Sequence, residues 1–200
     1  LAVHLNNMYS NENSPFEGAD LNTSTKQLES KTLLSDVSFY KDLFAAAEEA
    51  SAEHLVSQSE ATQGQSGRLQ RGNSESYILV NEKGWEFTQF VEKGLMGSVF
   101  YHQIYNVYLT DERIGPDVDN VSLVEGAKYT KKEHHFDEAF GYWGVPVNFP
   151  QELTGDEKRF WANYTYGRSP LMGSVEILKN AFLEGRTAIV NDDQSTLDLS

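Results

Sequence analysis

The 200 residues carry 30 acidic against 16 basic side chains, a formal net charge of −14 at pH 7, and no cysteine. Such a field repels phosphate backbones and anionic headgroups, which argues against a nucleic-acid partner and leaves cations, or a positively charged surface, as the better match. Without cysteine there is no disulfide framework, thiolate metal site or cysteine nucleophile, and residues 1–200 suffice for a single well-cored domain. No apolar run reaches the roughly 18 to 20 residues of a membrane span. The longest, Leu95 to Leu109, is interrupted by Ser98, His102, Gln103 and Asn106.

Leu1 to Tyr9 reads as the tail of a helix already under way, so any targeting segment is expected to have been removed or to lie outside these residues. Ser10 to Asp20 is rich in turn formers, and Ser24 to Gln27 matches a capping box that opens a short helix. A second start signal stands at Ser35. From there Phe39, Leu43, Ala46, Ala47, Ala50 and Leu55 recur at helical spacing through an alanine-rich stretch, predicting a long amphipathic helix with His54 as a cation near its end.

Gln58 to Ser74 is polar and aperiodic and is expected to be an exposed loop, either a mobile flap or an insertion. Ser76 to Val80, the turn Asn81 to Gly84 and Trp85 predict a strand, a turn and a short return, the one β signal in the chain. Glu86 to Leu109 is expected as the central helix, with Phe87, Phe90, Val91, Leu95 and Val99 in one stripe. From Phe100 onward apolar residues wrap almost the whole circumference, which predicts burial on most sides. Gly94, Gly97 and Ser98 weaken helix propensity there, and their expected benefit is close approach by another helix.

Asp111 to Tyr129 is an acidic connection. Thr130 to Glu133 is a second capping box, and its helix runs to about Trp143 before Gly144 and Pro146. Thr154 to Glu157 is a third box, opening a helix through Tyr166. Ser169-Pro170 is expected to open the last helix, striped by Val175, Leu178, Ala181, Phe182 and Ile189, while Asp192 to Ser200 show no cap or closing element. Leu95-Met96-Gly97-Ser98-Val99 recurs as Leu171-Met172-Gly173-Ser174-Val175, and one such pair is not a repeat architecture. The fold class this predicts is all-α, an irregular multi-helix bundle with one minor β-hairpin.

The densest chemistry is His134-His135-Phe136-Asp137-Glu138, just inside a helix start. At about 100° per residue, His135 and Glu138 project roughly 60° apart on one face and suit a divalent cation such as iron or zinc. A stable site needs a third ligand, and His102 on the central helix is the candidate, with His134 and Asp137 in reserve. A lone histidine among aromatic residues is more often a core group bonded to a carbonyl than a ligand, and Asp137 and Glu138 suit the first turns of a helix by the macrodipole alone. Asp117, Asp119 and Asn120 resemble the start of a calcium loop but lack its glycine and closing glutamate. His-Glu-x-x-His, Gly-x-Ser-x-Gly and phosphate- or dinucleotide-binding loops are absent. Tyr142, Trp143, Trp161, Tyr164 and Tyr166 offer rings that stack on a sugar or porphyrin, or simply fill a core.

Three stretches, EKGLMGSVFYHQIYNVYLT from Glu92, EHHFDEAFGYWGVP from Glu133 and NAFLEGRTAI from Asn180, resemble an uncharacterised family of all-helical bacterial cell-envelope lipoproteins classed as a domain of unknown function. The resemblance spans most of 5–195. Members are longer, so this chain looks like their central portion. Their genes often neighbour those of imelysin-like proteins, helical and iron-regulated, whose Gly-x-His-x-x-Glu signature His135 and Glu138 match in its second part. Lys132 or Glu133 stands where the glycine belongs.

The resemblance implies a location at the envelope and a role in uptake of iron, another metal or an iron-carrying ligand. His135, Glu138, His102, His134 and Asp137 are then the metal candidates, and Tyr142 and Arg186 the candidates for ligand binding. An outer-membrane transporter or an imelysin-like protein is the implied partner. The alternatives are a metal-dependent hydrolase with Glu138 as general base and a structural partner of a transporter.

Overall fold

Alanine-rich composition without glycine or proline yields the longest helix of the chain. In a computed structural model, which describes residues 1–11, 26–57 (backbone only at 53–57), 59–149, 153–154 and 157–200, α1 (Ala2–Ser10) and α2 (Leu28–Lys31) precede α3 (Val37–Ser57). The Ser24 capping box, most of the turn-rich segment after Ser10, and the side chains of His54 and Leu55 lie outside the described residues. Described residues form helices and a single two-stranded sheet, so the fold is mostly α with a minor hairpin, as the patterning predicts. No described helix is long and apolar enough to cross a membrane. The chain divides into two compact units, Leu1–Val99 and Phe100–Ser200.

In the first unit the buried stripe of α3 is Tyr40, Leu43, Phe44, Ala47 and Ala50, packed with Ala2, Tyr9 and Phe87. The expected stripe holds at Leu43, Ala47 and Ala50, with Ala46 partly buried, and departs at its start, where Phe39 is exposed and Tyr40 buried. Hydrogen bonding explains the exchange. The Tyr40 hydroxyl donates to Ser98 Oγ at 3.0 Å, Ser98 Oγ donates to Asp36 at 2.6 Å, and Tyr9 donates to Thr32 Oγ1 at 2.6 Å, so a tyrosine is buried here with its polar atom satisfied.

The expected loop at 58–74 contains a strand. β1 (Gly67–Gln70) pairs antiparallel with β2 (Tyr77–Val80), so the hairpin forms with the segment before it; the later return is only a bridge from Val80 to Glu86. Two features of the polar sequence permit this. A Cβ at Gly67 would lie 2.8 Å from Ala61 N and Ser59 O, a backbone approach that only glycine allows, and the Arg68 guanidinium sits 4.5 Å from the Tyr77 ring centroid across the strands.

α4 (Phe87–Leu95) continues into π-wound turns over Met96–Tyr101 and Ile104–Tyr108. A Cβ at Gly94 would meet the Tyr40 hydroxyl at 2.6 Å, which is the close approach expected, whereas Gly97 faces open space. Tyr101 and Tyr105 are 50% and 57% exposed, so this segment is not buried on most sides.

The second unit contains α5 (Asp111–Ile114), α6 (Lys131–Trp143), α7 (Phe160–Met172), α8 (Ser174–Val190) and α9 (Gln194–Leu197). Thr130 and Glu133 form the predicted capping box of α6, which ends on Gly144 at φ 87°. Of the third box, Thr154 N donates to Glu157 Oε2 at 2.8 Å, the two residues between lie outside the described residues, and α7 starts at Phe160. Pro170 lies inside α7 instead of opening α8; the break is made by Gly173, left-handed at φ 65°. The closing residues are capped after all, since the Asp193 carboxylate accepts from the Thr196 N–H at 3.1 Å and starts α9.

Two apolar clusters make this interior. Phe136, Ala188, Ile189 and Leu197 form one, and Trp143, Val145, Leu153 and Ala162 the other; Phe182 packs against both.

Candidate functional site

α6 presents its polar residues in three directions. His135 is 5% exposed, and its Nδ1 lies 2.8 Å from the Arg113 carbonyl, to which it donates; Nε2 is then an acceptor, 3.3 Å from the Arg113 guanidinium. The histidine thereby fastens α5 to α6 by both ring nitrogens. Its one lone pair points at a permanent cation, which is the geometry of a satisfied core imidazole.

His134 is half-exposed and stacks on Tyr129, centroids 5.0 Å apart and 12° from parallel. Its Nε2 lies 3.5 Å from Glu138 Oε2, so the i,i+4 pair on this face is His134 with Glu138, not His135 with Glu138. The other Glu138 oxygen accepts from the Tyr108 hydroxyl at 3.1 Å. Burial, and after it the Glu138 carboxylate, push the Tyr108 hydroxyl above its ordinary value, so it remains a donor there. Tyr142 stacks on Tyr108 at 5.8 Å and leans on Phe100 at 5.9 Å.

On a third direction Arg186 of α8 donates from Nη1 to Glu133 at 2.8 Å and from Nε to Asp137 at 3.0 Å. The arginine proposed for ligand binding and the aspartate proposed for metal are thus engaged with each other, bracing α8 against α6. His102 accepts at Nδ1 from its own helical neighbour Asn106, 3.2 Å away. Among the described residues no three histidine or carboxylate groups converge to hold an ion, so His102, His135 and Glu138 are not assembled into one site.

The acidic connection is organised by its own side chains. Asp119 Oδ1 accepts from the N–H groups of Val121 and Ser122, bonds that hold its carboxyl below the usual range. Asn120 bridges the Ile189 carbonyl at 2.6 Å and the Thr130 hydroxyl at 2.9 Å. These residues shape the entry to α6; the calcium-like spacing has a structural account.

What the sequence did not single out is a cavity of about 650 Å³ in the second unit. Its walls come from both apolar clusters, including Phe136, Trp143, Trp161, Leu178 and Phe182, and Tyr101 and Tyr105 stand exposed at its edge. Trp143 and Trp161 were among the rings noted as stacking candidates; Tyr142 does not line it. The polar lining includes Asp111, Thr165, Gln194 and Asp198. The all-round apolar character of the helix from Phe100 was the signal available, and Tyr101, Ile104, Tyr105 and Leu109 of that segment line the cavity. Volume and lining fall within the range of small-molecule sites.

A family model described as a domain of unknown function, DUF4856, matches residues 2–200, and the chain belongs to that family. No curated protein and no solved structure matches it.

Proposed function

We propose that the chain is a non-catalytic binding protein of the bacterial cell envelope, and that its second unit holds a small, largely apolar organic molecule during uptake. An iron-carrying ligand is the case implied by the lipoprotein resemblance and the imelysin-like neighbours. The observation that carries this reading is the cavity of about 650 Å³ with tryptophan and phenylalanine walls. It is further supported by the way His135, Asp137 and Arg186 are occupied with holding α5 and α8 to α6, which leaves the apolar space as the more available feature.

The test is titration with the neutral dye N-phenylnaphthylamine, read by its fluorescence in the intact chain and in Ala181→Phe, which adds bulk to the cavity wall. Saturable binding that weakens by about tenfold or more in a folded Ala181→Phe variant is expected, since a ligand that fits must displace the added ring. No binding to the intact chain overturns the reading.

A second reading is a weak divalent-cation site on His134 and Glu138, favoured by the 3.5 Å separation of Nε2 and Oε2 at a partly exposed surface. It would supply the metal of the hydrolase alternative as well. Calorimetric titration with zinc or ferrous ion decides it: heat that vanishes in His134→Ala supports the site, and no heat in the intact chain removes it.

A further inference from the structure

The cavity's walls are aromatic, but its charged groups are of one sign. Among the described residues lining it stand Asp111 and Asp198, and no lysine, arginine or histidine. No described residue pairs with the Asp111 carboxylate, and Asp198 is held by the Gln194 amide, whose Nε2 donates to Asp198 Oδ1 at 2.7 Å. The orientation of that amide is set from behind: the buried Lys132 donates from Nζ to Gln194 Oε1 at 2.9 Å, so only the NH₂ end is left for Asp198. At the edge, Tyr101 and Tyr105 lie with ring centroids 4.7 Å apart and 31° from parallel, both half-exposed, with Trp161 also on the wall.

We propose that the ligand of this cavity is an organic cation, an aromatic or aliphatic body carrying an ammonium group that sits against the Tyr101–Tyr105 faces between Asp111 and Asp198. The inference rests on the cavity reading above and adds the sign of the ligand's charge. Aromatic faces attract a cation through the ring quadrupole, and the effect grows as the pair loses water. Carboxylates at the mouth add Coulomb attraction and repel anions, in the same sense as the −14 net charge of the whole chain. A purely apolar cavity of this size would select the other way, because an ammonium is costlier to dehydrate than its carbon isostere.

The discriminating experiment is displacement of bound N-phenylnaphthylamine by (naphthylmethyl)trimethylammonium and, separately, by its neutral isostere neopentylnaphthalene. The cation is expected to displace the dye at roughly tenfold lower concentration, as cation–π attraction with partial desolvation allows. The margin should shrink as salt rises, because the carboxylates act through solvent. In Asp111→Asn/Asp198→Asn the margin, taken as the ratio of the two displacing concentrations, should fall by about threefold or more. Equal displacement, or a preference for the neutral compound, overturns the inference while leaving the cavity reading in place. Failure of the dye itself to bind removes both. The salt dependence needs no variant and so tests the charge even if the double substitution fails to fold.

Discussion

The two units dispose of their interior polar groups differently. In the first, hydroxyls close on one another: Tyr9 on Thr32, and Tyr40 on Ser98, which passes its own hydrogen to Asp36. In the second, the buried ionisable groups His135 and Lys132 are matched by Arg113 and Gln194, and nearer the surface the partly exposed Arg186 is held by Glu133 and the exposed Asp137. Among the described residues the first gathers Tyr9, Tyr40, Leu43, Phe44 and Phe87 in one cluster, whereas the second has two that meet at Phe182 and line a cavity. Hydroxyl pairs specify packing at small desolvation cost. Charged groups set helix positions at a higher desolvation cost, and a cavity between two clusters gives their side chains fewer protein neighbours than a closed core would. The proposed binding role would need such a combination in the second unit.

The largest break in this comparison comes from Phe182. It stacks on Trp143 at 5.5 Å and meets Phe136 and Phe140 edge-on at 5.7 and 5.3 Å. Phe182→Ala removes a partly buried ring on which both clusters pack, and a loss of about 3 kcal/mol is expected by denaturant unfolding. A loss under about 1 kcal/mol would mean that the two clusters do not depend on the residue they share.

Adjacent histidines give a sharper comparison at smaller amplitude. His135→Ala leaves the Arg113 carbonyl and guanidinium without their partner, and about 2–3 kcal/mol is expected from the unmade bonds and the vacated volume. His134→Ala, on the half-exposed face, should stay within about 0.5 kcal/mol. Equal effects at the two positions would contradict the division of α6 into a bracing face and a solvent face.

Periodicity showed where the long helices lie, and the Thr130 box located the start of α6, because both signals are local. The hairpin was hidden for the opposite reason: Gly67 to Gln70 has no alternation of its own, and its strand exists through backbone approach and a cross-strand Arg68–Tyr77 contact. Tyr40 displaced Phe39 from the expected stripe because its hydroxyl finds Ser98, 58 residues away. The helical spacing of His135 and Glu138 was legible, but not their partners, since Arg113 and Tyr108 arrive from other elements. A cavity is a property of several walls at once, so no single stretch announces it; the rings of Trp143 and Trp161 were noticed, the volume between them was not.

The smallest predicted effect concerns acid. Burial pushes the Glu133 carboxyl up, but the Thr130 N–H and the Arg186 guanidinium outweigh it and hold the group below its ordinary value. A carboxyl depressed on folding contributes stability that is present above its unfolded pKa and is lost as pH falls through the folded one. Acidification below the usual carboxylate range should therefore loosen the start of α6, where Glu133 Oε2 accepts from Thr130 N at 2.7 Å. The first unit's tyrosines cannot respond in this window, because burial moves Tyr9 and Tyr40 upward from their already alkaline values. The protection of the Thr130 amide, taken relative to its intrinsic exchange rate at each pH, should accordingly fall on acidification, and Glu133→Gln should flatten that dependence while lowering protection at neutral pH. A Glu133→Gln chain with the same acid profile as the parent would assign the cap's strength to geometry alone, and the contrast between charged and hydroxyl interiors would lose its pH signature.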